Sequence, residues 1–272
     1  MENDGIINYE KRLIAFIDLL GFKNAVYKTG DGTREGYNIK NNIDKIMNFN
    51  DGVYTLNKLI IKKAKKVNLQ TKKSRPLTKA HITFFSDSMI ISTPVIEEVN
   101  KEDGYYEEFL KTIVRLSNEY VKQGFLARGG ITFGKLCHTG NICYGPAMNN
   151  AYILESQDAK FPRILIDKFA EKELLAKNTA QYSEYIKSDE TDGRSFLDYL
   201  KKTKDINYYG DKEGYYELLK GIKQMIGSKF RNNNDEDIEK RILEKYEWYK
   251  EYYNDTIQRV LPSEQQDEFL IK

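Results

Sequence analysis

Residues 12–23, RLIAFIDLLGFK, read as a buried strand over 13–17 that carries Asp18 at its carboxyl end and turns at Gly21 into a helix. The strand therefore delivers an acid to a point where backbone N–H groups of a helix entry also converge. Such a place suits a divalent cation and a phosphate chain, because the metal neutralises the carboxylate and the amides receive anionic oxygens. Taken alone, the segment also fits an aspartate acting as an ordinary helix cap. Its neighbours in the sequence decide between the two.

The chain has 272 residues, enough for one large domain or a core with an extension. No apolar run approaches the ~18 residues of a spanning helix. The opening MENDGIINYEK is polar and acidic, unlike a signal peptide, so a cytoplasmic protein without membrane contact is expected. Two cysteines, Cys137 and Cys143, and two histidines, His81 and His138, are too few for a structural zinc site or a disulfide framework. Any metal has to sit on carboxylates. A net charge of +2 argues against a strongly basic nucleic-acid binder. One basic run, from Lys58 to Lys79 with no acid between Asp51 and Asp87, reads as a solvated face or as a contact for a polyanion or partner.

Further along, residues 34–67 have helical spacing, and Pro76 breaks the pattern. Two β-prone runs, 80–85 and 89–92, flank Ser86, Asp87 and Ser88, which predicts a hairpin with a second carboxylate at its turn. Over 105–123, Phe109, Ile113, Leu116 and Tyr120 share one helical face that ends at Gly124. Residues 125–136 read as a strand whose Arg128-Gly129-Gly130 implies close backbone approach. A short strand over 141–144 precedes a helix opened by Gly145-Pro146, with Asn149 and Asn150 either capping or hydrogen bonding. PRILID, 162–167, is a further buried strand, and a helix follows over 168–177.

This order of elements predicts an α/β (α+β) ferredoxin-like, palm-type sandwich over residues 1–177, with a mostly helical extension over 178–272. The extension packs on the core or on a dimer. Asp192-Gly193 marks a turn in it, 212–228 and 234–257 read as amphipathic helices, and Trp248 with Tyr246, Tyr249, Tyr252 and Tyr253 reads as core. His138 reads as a loop residue. In the palm sheet the first strand and the hairpin are neighbours, which brings Asp18 to Asp87. Two facing carboxylates are costly unless a cation lies between them, the physical reason to read the pair as a Mg²⁺ or Mn²⁺ site.

The elements FIDLLGF, FFSDSMI, RGGITFG and YGPAMNNAYILES resemble, in order and form, the signature elements of class III nucleotidyl cyclases across residues 12–156. With SDS, RGG, GPA, AY-x-LE, PRI, DGRSFLDYL and KYEW, the chain looks most like bacterial pyrimidine nucleotide cyclases of the Pycsar antiphage type. The resemblance implies that Asp18 and Asp87 hold two metal ions per site and that Asn149 orients the ribose. It also implies that positions reading the base fall on Thr83 and Ile142. These residues lack the charge pairing given to purines, which suits a pyrimidine; the subgroup resemblance, and not these residues, puts UTP ahead of CTP. The amides of Leu19, Leu20, Gly21 and Phe22 would cradle the phosphates.

The implied reaction is attack of the ribose 3′-oxygen on the α-phosphorus with loss of pyrophosphate, run mainly by positioning and charge neutralisation. The resemblance further implies a head-to-tail homodimer with Asn149 acting in trans, and a product read by a separate effector. Where the family carries a transition-state arginine, four residues after Asn149, this chain has Ile153. The cation then has to come from Arg128 or Arg163, or the chain is an inactive relative that binds nucleotide or a partner. A palm-domain polymerase or nucleic-acid module is the third reading, suggested by the run from Lys58 to Lys79.

Overall fold

In the computed structural model, residues 9–47, 57–58, 62, 79–95, 105–205, 212–231 and 240–272 are described. The basic run between Lys58 and Lys79 and the break at Pro76 lie almost wholly outside them. Strand β1 (Glu10–Leu20) is buried without interruption from Arg12 to Ile17. Both of its faces are covered, hence the continuous apolar run instead of an alternating one. It is followed by α1 (Phe22–Thr29), α2 (Arg34–Met47), β2 (His81–Phe85), β3 (Ser88–Pro94), α3 (Tyr105–Lys122) and β4 (Leu126–Thr139). β1 pairs antiparallel with β3 and with β4, and β2 pairs with β3. The spatial order β2-β3-β1-β4 is the expected split β-α-β-β-α-β unit of the palm-type α+β sandwich.

Next come β5 (Ile142–Tyr144), which pairs with the end of β4, and α4 (Pro146–Ile153), prolonged by one π-helical turn (Leu154–Asp158). β6 (Ile164–Ile166) adds to β4 in parallel, and α5 (Lys168–Lys177), α6 (Thr179–Ser183), β7 (Ile186–Ser188) and β8 (Ser195–Leu197) follow. The last two strands complete the sheet as β6-β8-β7. Helices α7 (Tyr199–Asp205), α8 (Lys212–Arg231), α9 (Lys240–Val260) and α10 (Ser263–Phe269) close the chain. Among the described residues no helix is long and apolar enough to cross a membrane.

The pleat divides β1 between two cores. Leu13, Ala15, Ile17 and Leu19 join the main cluster with Phe109, Ile113, Leu116 and Tyr120 of α3, the face foreseen from their spacing. Ile14 and Phe16 face the other way, against Ile90, Leu136, Ala147 and Ala151, so α4 lies over this second face. Asp18 shares the parity of Ile14 and Phe16 and emerges on the α4 side. The two glycines make room for different neighbours: Gly129 for the Phe16 carbonyl and Ile17 of β1, Gly130 for α4 and its π turn. A Cβ on Gly130 would stand 2.4 Å from Leu154 Cβ and 2.8 Å from the Ala151 carbonyl oxygen. Gly130→Ala is therefore expected to cost about 1–3 kcal/mol by overpacking, read as a lower denaturation midpoint at unchanged slope.

The C-terminal third is tied to the sheet by a buried charge. Arg163, ahead of β6, pairs with Asp189 and Asp192 and lies against the rings of Phe161 (5.5 Å) and Trp248 (5.7 Å). Trp248 Nε1 donates to Asp189 Oδ2 at 2.8 Å. Trp248, Tyr249, Tyr252 and Tyr253 are buried, in line with their reading as core. Arg163 is buried with both terminal nitrogens committed to this clamp, which removes it as a cation for a triphosphate. His138 needs the opposite correction: it is no loop residue but a buried member of β4, opposite Cys143.

Candidate active site

Asp18 leaves β1 in the row Ser88–Asp18–Arg128, formed by direct cross-strand neighbours on β3, β1 and β4. Ser88 Oγ donates to Asp18 Oδ1 at 3.1 Å, and Arg128 Nη2 stands 3.7 Å from Asp18 Oδ2. Asp87 occupies the hairpin turn beside them. That turn takes a positive φ at Ser86 (54°), and the Asp87 carbonyl receives the Leu19 N–H at 3.1 Å, which fastens the turn to the end of β1. The hydrogen bond corrects one expectation: the Leu19 amide is already engaged and is not open to a phosphate. Gly21, in the left-handed region at φ 83°, starts α1 with no side-chain cap. The amides that follow it, from Phe22 on, are the orphan donors of that helix.

A third carboxylate joins the cluster. Glu155, in the π turn after α4, is buried and accepts from Arg128 Nε at 2.7 Å. The sequence signal for it is a stripe: Ala147, Ala151 and Glu155 recur every four residues and all three are buried, so the face of α4 that meets the sheet ends in an acid. Burial pushes the Asp18 carboxyl up to about 6, with the charges of Glu155 and Asp87 adding to it, while Ser88 and Arg128 act the other way. Glu155 is raised as well, chiefly by burial, against the charge and hydrogen bond of Arg128. Asp87 raises Glu155 further, and Lys245 from α9 lowers it.

Asp87 and Glu155 thus both act on Asp18, while Arg128 is bonded to Glu155 and stands beside Asp18. Excess negative charge of this kind fits a hard divalent cation, and Asp18 with Asp87 can hold one, waters completing its shell. Among the described residues no group of three or more histidine, cysteine or acidic side chains is arranged to hold a metal ion, so a cation here would rest on two carboxylates and water.

The remaining expected residues lie around this row. Arg128 is in it, committed to Glu155 and beside Asp18. Thr83 is on the same face of the sheet, because Thr83 pairs with Ile90, which pairs with Phe16. It lies two strands across and two residues back from Asp18, about 12 Å away along the backbone lattice. Thr83 Oγ1 donates to the Gly140 carbonyl at 3.1 Å, so it touches the β4–β5 turn whose returning strand begins with Ile142, itself 59% exposed. Asn149 lies on α4, the helix over the Asp18 side of the sheet. It and Ile153 lie off the sheet-facing stripe of α4 and are exposed.

No protein-family model matches the chain, and no curated protein does. Among solved structures, the guanylate cyclase domain of RhGC from Catenaria anguillulae in complex with GTP is similar at 13% identity and a TM-score of 0.39, over 69% of this chain and 94% of that one. The monomeric guanylyl cyclase domain of the RhoGC fusion protein from Blastocladiella emersonii gives 16% and 0.38, over 70% and 95%. A class III adenylyl cyclase-like ATP-binding protein from Pseudomonas aeruginosa gives 13% and 0.30, over 61% and 35%. Likeness this distant leaves the activity to be argued from the site.

Proposed function

We propose that the chain is a metal-dependent nucleotide cyclase. It converts a pyrimidine nucleoside triphosphate, UTP ahead of CTP, to the 3′,5′-cyclic monophosphate and pyrophosphate. The observation that carries this reading is the crowding of Asp18 with Asp87 and Glu155, two of the three held by Arg128, directly before the uncapped N-terminus of α1. Anionic side chains set beside anion-seeking amides make chemical sense when a cation and a phosphate chain complete the site.

In this reading Asp18 and Asp87 hold Mg²⁺ or Mn²⁺, two ions per site, which when bound lower the pKa of the 3′-hydroxyl and offset charge on the leaving pyrophosphate. The amides that follow Gly21 receive phosphate oxygens. Arg128, aimed by Glu155, supplies the positive charge that Ile153 cannot. Thr83 and Ile142 meet the base. Asn149, exposed and off the sheet-facing stripe of α4, orients the ribose in the site of a second copy, and exposed Phe85, Tyr152 and Ile153 offer apolar surface for that contact. The proposed unit is a head-to-tail homodimer in the cytoplasm, its product a second messenger in bacterial antiphage defence that a separate effector reads.

The test is incubation of the pure protein with each of the four nucleoside triphosphates and Mn²⁺, followed by detection of pyrophosphate and cyclic product. Formation of neither overturns the proposal. The replacement at Ile153 favours a second reading, an inactive relative that binds nucleotide or a partner; nucleotide binding without turnover is its signature.

Sharing of residues between copies has its own expected result. Asp18→Asn and Asn149→Ala are each inactive alone, yet mixing them regains up to about a quarter of wild-type turnover, because half of the random dimers contain one intact site of two. Mixtures as inactive as the separate variants place Asn149 in its own chain's site or outside catalysis.

A further inference from the structure

A buried polar chain crosses the same sheet face at a distance from the carboxylates. Arg12 Nε donates to Ser92 Oγ at 2.8 Å, and Ser92 Oγ is 2.8 Å from His138 Nδ1. His138 Nε2 is 2.9 Å from Thr83 Oγ1, and Thr83 donates to the Gly140 carbonyl at 3.1 Å. Each link has one sense. A guanidinium only donates, so Ser92 Oγ receives. Ser92 is wholly buried, so its own proton needs an acceptor, and His138 Nδ1 is the one in reach. His138 faces the ring of His81 at 5.3 Å, and burial, His81 and Arg12 together push it down to about 3, so it stays neutral. A neutral ring with a bare Nδ1 carries its proton on Nε2 and gives it to Thr83.

The hydroxyl of Thr83 is then fully specified. Its proton goes to Gly140, one lone pair takes the His138 proton, and a single lone pair remains. We propose that His138 is a positioning residue that makes Thr83 a pure acceptor, so that the site takes a base presenting an N–H to Thr83. In a pyrimidine that group is N3–H of uracil or the 4-amino group of cytosine. A carbonyl or bare ring nitrogen placed there would face a second acceptor, an unmade hydrogen bond on both sides. The inference rests on Thr83 being a base contact of the nucleotide site proposed above, and it adds the polarity of that contact.

Two measurements test it. With only two histidines in the chain, ¹⁵N-histidine spectra assign the ring of His138 directly. The Nε2–H tautomer, unchanged from pH 8 to pH 5, is expected; the Nδ1–H form, or a charge change in that window, overturns the relay. Equilibrium binding of UTP and CTP, with Ca²⁺ in place of the activating ion, gives the second. Wild type is expected to prefer one by at least about tenfold, and His138→Phe to shrink that preference about tenfold by removing one of the two hydrogen bonds that hold the Thr83 hydroxyl in its acceptor orientation. A purely structural role for His138 would weaken both nucleotides alike, and an unchanged ratio in folded His138→Phe sinks the inference. Tight but unselective binding by wild type ends this inference alone, whereas absence of any nucleotide binding ends it together with the cyclase reading.

Discussion

Asp18→Asn is expected to abolish the proposed cyclic product and, in metal-free buffer at pH 7.5, to make the protein more stable. The two effects share one cause. The Asp18 carboxyl is held at about 6 in the fold against an ordinary value of 3.8, so the folded chain keeps a proton that the unfolded chain releases. Stability is then full below about pH 4, declines as pH rises to about 6, and stays reduced above it. A shift of this size corresponds to at most about 3 kcal/mol, which the neutral amide restores while erasing the slope between pH 4 and pH 6. Addition of Mn²⁺ reverses the ranking, since only the wild type gains stability by binding the ion. The same proton opposes the metal, so Mn²⁺ affinity is expected to fall as pH drops through about 6. Thermal melts at pH 4 to 8 with and without Mn²⁺, beside the product assay, check all of this. Full activity in Asp18→Asn, or in Asp87→Asn, refutes the metal assignment.

The largest loss of stability is expected at Arg163. Arg163→Met keeps much of the side-chain volume but leaves the buried Asp189 with Trp248 and Thr191 as its hydrogen-bond donors and Asp192 with Arg194 alone of its two arginines. Removing one member of a buried ion pair costs about 3–5 kcal/mol, and Trp248→Ala costs a similar amount through the cavity it leaves. Because both residues contact Asp189, the double variant is expected to fall short of the sum, by about 0.5–3 kcal/mol in a double-mutant cycle. Chemical denaturation of the four proteins measures it. Losses under about 1 kcal/mol for each variant, or strict additivity, would show that the clamp does not hold the C-terminal third to the sheet.

What the sequence reveals follows the reach of its local signals. The run through Leu13 and Ile17, the spacing of Phe109, Ile113 and Tyr120, and the turn residues around Asp87 each repeat with a period that names the element and its buried face. From these, the palm order and the meeting of the β1 end with the hairpin were legible. Strands β7 and β8 were not, because three residues each carry no period, and only pairing beside β6 makes them strands. Partner choice was equally hidden. Arg163 reads like any surface arginine until Asp189 and Asp192 arrive from about thirty residues on; the Leu19 amide is taken by a carbonyl across the hairpin; His138 gains its role from Ser92 and Thr83 on two other strands. Glu155 was legible in principle, as the acid closing an Ala147, Ala151 stripe, and its meaning required Arg128 beneath it.

Helix α9 reaches two distant parts of the molecule. Through Trp248 it grips the Arg163 clamp, and three residues earlier Lys245 adds its positive charge to the field at Glu155. The chain's last third is thereby wired to the charge balance of the carboxylates. A tail that packs as scaffolding thus also sets a counter-charge in the field of Glu155.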